Sequence, residues 1–299
     1  MNLVDYLDPL VAALMLAGIY AAMSVGMTII YGVMKIVNLA HAGFMMLGAY
    51  FAFELFERFH IDPVLGAVIA LPVFFCFGVC VHWLLVRWLP RSDQPTLSSL
   101  LLMFGFWLVL QNIAYLIWKT EDRSINTSYT ISSTVLGPVT ISHVRAIVFV
   151  AAVISVVALQ ILLRRSWFGR SVRAIIQNPF AAQIYGVNER NTAMFTFGLG
   201  TAFAGFAGAL LALLYPFSPD FGRQFLLRSF VIIVLGGLES FSGVAIGALI
   251  LALVETFSIL IPGVEASYQP AISFALLVAV LLFLPRGIAG LLEKKWRVA

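Results

Sequence analysis

Arg164-Arg165-Ser166-Trp167-Phe168-Gly169-Arg170-Ser171-Val172-Arg173-Ala174 leads through Asn178-Pro179-Phe180-Ala181-Ala182 to Gly186 and closes near Asn191, a basic and polar island between long apolar runs. Hydrocarbon cannot solvate so many charges, so this stretch faces water and the runs on either side of it meet lipid. Locally it reads as two short helices joined by a turn. Asn178 can cap the second helix, Pro179 suits its first position, and Gly186 suits the left-handed residue after its end. Arg170, Arg173 and Gln177 share one face of the first helix, while Val172, Ile175 and Ile176 share another. Such an amphipathic helix can meet a membrane and a second protein together. The plainer alternative is a basic loop that only enforces topology.

Outward from the island the chain is apolar. Of its 299 residues 62% are hydrophobic and 11% charged, against about 25% charged in soluble domains. This is a polytopic membrane protein of the all-α class, one transmembrane domain over residues 1–299. Runs near the ~20 residues needed to cross hydrocarbon occur at 10–32, 38–56, 63–89, 96–118, 144–163, 193–214 and 268–284. A further stretch, 225–262, is interrupted at Gly236-Gly237-Leu238-Glu239-Ser240-Phe241-Ser242-Gly243 and is either two short spans or one re-entrant pair. About eight or nine membrane segments are expected on this length rule.

The net charge of +4 does not mark a nucleic-acid binder, because the basic residues sit at the ends of apolar runs. Lys35, Arg87, Arg91, the 164–190 island and Arg286, Lys294, Lys295 and Arg297 fall on one side, which is then cytoplasmic. Asp5, Asp8, Glu54, Glu57, Asp62, Glu121, Asp122, Asp220 and Glu265 fall on the other. The N-terminus is expected outside and the C-terminus inside. The first residues lack the basic region of a cleaved signal, so the first span is expected to be retained. Cys76 and Cys80, one turn apart, read as packed small residues rather than a disulfide or metal pair.

The outer connection 119–142 carries Tyr129-Thr130-Ile131-Ser132 and then Val135-Leu136-Gly137-Pro138-Val139, the pattern of a small β-hairpin on the outer face. Small residues at spacing four, Gly18/Ala22/Gly26, Gly200/Ala204/Gly208 and Gly243/Gly247, let helices approach closely. The first two stripes lie on spans of opposite direction, which leaves open an inverted internal repeat.

No phosphate loop, zinc-protease motif or nucleophile elbow occurs. An enzyme is not expected, and no cofactor or metal site is read from the chain. The polar residues at membrane depth are Asn38 and His41, Gln111 and Asn112, Glu239 and Glu255. Each could satisfy packing within the bundle or line a substrate path. Glu255, Glu239 and His41 could also be ion or proton sites of a stand-alone channel or secondary transporter.

Tyr31-Gly32 with Asn38-Leu39-Ala40-His41 and Met46-Leu47-Gly48-Ala49-Tyr50, then Leu110-Gln111-Asn112, Gly169-Arg170 with Arg173-Ala174, and Val234-Leu235-Gly236-Gly237 with Gly243, Gly247 and Glu255, follow in an order that resembles the permeases of branched-chain amino acid ABC transporters, of the LivH type. The likeness spans nearly the whole chain. It departs at Ala42, where Gly usually follows the His, and at Glu239, where a small residue is usual. The resemblance implies an ABC importer permease that works by alternating access. Its partners would be a second, homologous or identical permease, two cytoplasmic ATPase subunits that bind the ATP, and an extracytoplasmic solute-binding protein, in a bacterial inner membrane. It also implies that 164–191 is the coupling element gripped by the ATPase, through Arg165, Gly169, Arg170, Arg173, Ala174, Ala181, Ala182 and Gly186. Branched-chain or other small amino acids are the implied cargo, with urea or short amides as the alternative. A bulky residue at Gly169, or Arg173→Glu, would on that reading uncouple hydrolysis from transport while leaving the protein in the membrane.

Overall fold

The computed structural model describes residues 6–91, 95–137 and 139–284, with residues 287, 288 and 290. Asp5, Pro138 and the basic positions Arg286, Lys294, Lys295 and Arg297 lie outside the described residues. The helices are α1 (Leu7–Met34), α2 (His41–Phe59), α3 (Pro63–Leu84), α4 (Pro95–Trp118), α5 (Ser128–Ile131), α6 (His143–Arg165), α7 (Trp167–Gln177), α8 (Pro179–Ile184), α9 (Glu189–Leu211), α10 (Phe221–Gly236), α11 (Phe241–Ser258) and α12 (Gln269–Phe283). Strands β1 (Ser133–Leu136) and β2 (Val139–Ser142) pair antiparallel. Six described helices are long and apolar enough to cross a membrane: α1, α3 with the short turn after it, α4, α6, α9 and α11. The stretch 225–262 divides into α10 and α11, packed antiparallel with Gly236 against Gly243 and Gly247 against Ile232.

Helices α1 and α9 form the centre. Their most apolar windows are 67% and 83% buried, whereas those of α4 and α6 are 17% and 22% buried and present Leu, Ile, Val and Phe outward. Small-residue stripes make this arrangement fit. At the crossing of α1 and α9, a Cβ on Gly26 would stand 2.6 Å from the Gly200 carbonyl oxygen, and one on Gly200 would stand 2.7 Å from that of Gly26. Only hydrogen fits on either side. Lipid gives no hydrophobic drive to helix association, so the contact rests on close van der Waals packing. Gly200→Val, which would also drive into Ile30, should cost about 1–3 kcal/mol by overpacking. The readout is a lower melting temperature and less monodisperse protein in detergent.

Two segments of irregular backbone thread side chains into this core, Ile36, Asn38 and Ala40 from one and Ala212, Leu213 and Phe217 from the other. After α1 the chain turns at Lys35, in the left-handed region at φ 55°, and residues 36–40 lead back to the start of α2. There Gly43 packs on Trp107 and Leu110 of α4. The second segment, 212–220, joins α9 to α10 and is fixed by Phe217, whose backbone exchanges two hydrogen bonds with Arg123 at 2.8 and 2.9 Å. Non-helical backbone is tolerated at such depth only where protein surrounds it.

Charge is distributed unequally between the two ends. Lys35 pairs with Glu239, and Arg164, Arg173 and Glu239 line one cleft of about 1230 Å³. At the far end the Asp8 carboxylate accepts from Thr140 N at 2.8 Å, Glu54 from Trp118 Nε1 at 2.6 Å and Asp62 from the Tyr129 hydroxyl at 3.0 Å. Burial pushes the Tyr129 phenol up to about 12, so it stays a donor to Asp62.

Two expectations change. In the connection 119–142, Tyr129-Thr130-Ile131 belongs to the helical turn α5, closed by a reciprocal capping box between Thr127 and Thr130. Only the second half forms the hairpin, with Leu136 opposite Val139 and Gly137 at φ 62° in the turn. Cys76 and Cys80 are not packed small residues, since both lie on the exposed face of α3.

Candidate functional site

The basic island folds as a rigid elbow on the end of α6. Ser166 ends α6 and caps α7, its Oγ accepting from Gly169 N at 2.9 Å. A Cβ at Gly169 would stand 1.9 Å from the Leu163 carbonyl oxygen, so glycine is required for α7 to fold back this tightly. Arg173 completes the joint by donating to the carbonyls of Leu163 and Arg164. A guanidinium there satisfies acceptors left open by the last turn of α6 and complements its negative dipole end. Val172 and Ile175 are buried beneath, and Ile176 packs on Gly32 of α1.

From α7 the chain reverses into α8 at Asn178, whose Oδ1 accepts from Ala181 N at 3.0 Å, with Pro179 following. Ala182 is buried, Gly186 closes the helix at φ 83°, and Asn188 caps α9 by accepting from Asn191 N at 3.0 Å. The left-handed turn, the Asn178 cap and the two-helix reading of 164–191 thus agree with the sequence pattern. The division of its residues is different. Gly169, Arg173 and Ala182 face inward and hold the elbow, Ala174 and Ala181 are half-buried, and Arg165 and Arg170 are exposed.

What the elbow presents outward is aromatic. Trp167, Phe180, Ile184 and Tyr185 are 81, 73, 71 and 88% exposed, and Arg170 stacks its guanidinium 3.7 Å from the Trp167 ring centre. Four large, mostly apolar side chains exposed on one short polar segment at the basic end are the kind of surface found at protein or membrane interaction sites. Sequence reasoning misses them, although a signal is there: bulky apolar residues at 167, 180, 184 and 185 inside an otherwise polar island.

The residues at depth fall into separate groups. His41 Nε2 lies 2.8 Å from the Met23 carbonyl oxygen, which can only accept, so Nε2 carries the proton and Nδ1 is a buried acceptor without partner among the described residues. Asn38 is fully buried, and neither of its side-chain polar atoms finds a partner among the described residues. Gln111 Nε2 donates to Asp220 Oδ1 at 2.7 Å, joining α4 to the start of α10. Asn112 makes no such bridge; its Nδ2 donates to Leu108 of its own helix at 2.8 Å. Glu239 lies at the basic end in its pair with Lys35, each about half exposed. An ion pair that exposed is worth about 0–1 kcal/mol, so Glu239→Gln should leave the melting temperature nearly unchanged.

Glu255 is the centre of a group that joins four helices. It is 1% exposed and accepts from the Tyr20 hydroxyl of α1, from Arg228 Nε of α10 at 3.0 Å and from Ser273 Oγ of α12 at 2.6 Å. The cluster sits near the acidic end of α11. Tyr20, Arg228 and Ser273 escape the sequence reading. A lone arginine inside Phe225-Leu226-Leu227-Arg228-Ser229-Phe230-Val231 is the signal for a buried carboxylate partner.

Comparison with known proteins places this architecture. The chain is 30% identical over 298 residues to the high-affinity branched-chain amino acid transport system permease protein BraD of Pseudomonas aeruginosa, covering 95% of this chain and 96% of that one. It is 28% identical over 298 residues, with the same shares covered, to the corresponding protein LivH of Escherichia coli K12. To LivM of Escherichia coli K12 it is 23% identical over 90% of this chain and 67% of that one. No solved structure matches. Residues 10–281 match the family model of the permease component of branched-chain amino acid transport systems, and the chain belongs to that family.

Proposed function

We propose that this chain is the membrane-embedded subunit of an ATP-driven importer that moves branched-chain or other small amino acids across the bacterial inner membrane by alternating access. Its basic end would lie in the cytoplasm, with the N-terminus outside and the C-terminus inside. It would pair with a second permease, identical or homologous, with two cytoplasmic ATPase subunits and with an extracytoplasmic solute-binding protein. The chain itself performs no covalent chemistry, and ATP is bound by the ATPase subunits. The Gly26–Gly200 crossing, with an irregular segment following each of its two helices, supports an inverted repeat as the frame of the movement.

One observation carries this reading beyond the family: the elbow exposes Trp167, Phe180, Ile184 and Tyr185 while its inner residues lock it to the ends of α6 and α1. A surface held so firmly can transmit a push into the core. In the reading as a stand-alone channel or secondary transporter, Glu255, Glu239 and His41 would be the ion or proton sites. Both carboxylates are already paired with cations, which gives that reading no support.

The test is reconstitution of the chain with ATPase subunits, a second permease and a solute-binding protein. ATP-dependent accumulation of isoleucine in vesicles, abolished when the ATPase subunits are left out, is the expected result. Uptake of urea but not of isoleucine would refute the cargo, and uptake by the purified chain alone would refute the ATP-driven assembly.

A further inference from the structure

At the acidic end, the first turns of α10 and α12 open a cleft of about 480 Å³, lined among others by Asp220, Arg223, Leu227, Arg228, Ser273 and Phe274. That volume falls within the range of about 300–1,000 Å³ usual for small-molecule sites. Asp220 accepts hydrogen bonds from Gln111 and from the Tyr115 hydroxyl at 2.7 and 2.5 Å, both neutral donors, so its position is fixed without an ion pair among the described residues. Arg223 makes no ion pair among the described residues and no side-chain hydrogen bond with them. Deeper in the wall, Arg228 has its Nε on Glu255, which also holds Ser273. The Glu255 network therefore sets one edge of the guanidinium and leaves the group lining the cleft. Leu227 and Phe274, 41% exposed each, supply the apolar wall.

We infer that this cleft is a substrate subsite for a free α-amino acid with an apolar side chain. Arg223, backed by Arg228, takes the carboxylate; Asp220 takes the ammonium; Leu227 and Phe274 cover the side chain. The inference rests on the transport reading above and adds to it the place and chemistry of recognition. A zwitterion matches the pattern because it brings one charge of each sign, so the Arg223 guanidinium and the Asp220 carboxylate each gain a charge-assisted contact. An amide or a keto acid of the same shape brings only one. Glu255 is a positioning residue here, since it fixes Arg228 and does not line the cleft.

The experiment uses the assembled transporter in nanodiscs, with Cys76 and Cys80 replaced by alanine and Ser218, another lining residue, replaced by cysteine. The rate at which a polar maleimide modifies position 218 is measured with isoleucine, with isoleucinamide and with neither. Isoleucine should slow modification and isoleucinamide should not, and Arg223→Gln should remove the protection. In uptake assays Arg223→Gln and Leu227→Trp should each raise the KM for isoleucine at least about tenfold, the loss expected for one charge-assisted contact or for a filled cleft. Both positions are exposed, so neither variant threatens the fold. Equal protection by amide and amino acid, or none, with wild-type uptake intact, would overturn the site and leave the transport reading standing. Absence of amino-acid uptake by the wild-type assembly would overturn both.

Discussion

Phe180→Ala combined with Tyr185→Ala will detach the ATPase subunits from the permease while the permease itself remains folded. The two side chains are 73 and 88% exposed, so the folded chain loses almost no packing with them. If the elbow is the docking surface, they are the kind of aromatic anchors whose truncation costs about 2 kcal/mol or more each in a complex. Two such losses weaken association by roughly a thousandfold, since about 1.4 kcal/mol is tenfold. Copurification of ATPase with tagged permease, and ATP-dependent uptake, should both disappear together. Substitution of Gly169 or Arg173 reaches the same endpoint differently, because both residues seat the elbow on α6 rather than face outward. Gly169→Leu and Arg173→Glu should therefore lower thermal stability as well as transport, and the alanine pair should lower transport alone.

The second large effect belongs to the carboxylate at the junction of four helices. Glu255→Leu leaves Arg228, Tyr20 and Ser273 facing a side chain that accepts nothing. Removing one partner of a buried ion pair costs about 3–5 kcal/mol because the other charge is left uncompensated. Removing both is often close to neutral. The double variant Glu255→Leu/Arg228→Met should accordingly recover most of the melting temperature lost by Glu255→Leu. Under the subsite inference it should still show a raised KM, because Arg228 no longer backs Arg223 in the cleft. A stable double variant with the wild-type KM would show that the pair only holds helices together.

Run length and residue type make much of the bundle legible in the amino-acid sequence. The apolar runs form helices close to their expected bounds, such as 268–284 for Gln269–Phe283, because crossing hydrocarbon sets a minimum length and backbone hydrogen bonds must close within the helix. Caps are equally readable, since Asn178, Pro179 and Gly186 act through local backbone geometry that sequence neighbours decide. What sequence does not supply is the direction of each side chain. Arg173 reads as part of an outward polar face, yet the reversal at Ser166 brings it over the carbonyls of α6. Asn112 reads like Gln111 as a residue for packing or a substrate path, but the next residue on a helix points about 100° away and finds its own Leu108. Partners far apart in sequence, such as Tyr20 with Glu255 or Gln111 with Asp220, depend on which helices become neighbours. Only the charge itself, an arginine or glutamate inside an apolar run, announces that some partner must exist.

The central claim is that the Trp167–Tyr185 elbow stands in the cytoplasm under the grip of an ATPase. It is tested most directly by cysteine labelling in right-side-out membrane vesicles, with Cys76 and Cys80 replaced by alanine and a cysteine at Tyr185 or, as the control on the opposite end, at Ser133. A membrane-impermeant maleimide should modify position 133 in sealed vesicles and position 185 only after the vesicles are opened, and then more slowly when the ATPase subunits are bound. Modification of position 185 in sealed vesicles, or a rate indifferent to the ATPase, would contradict the account.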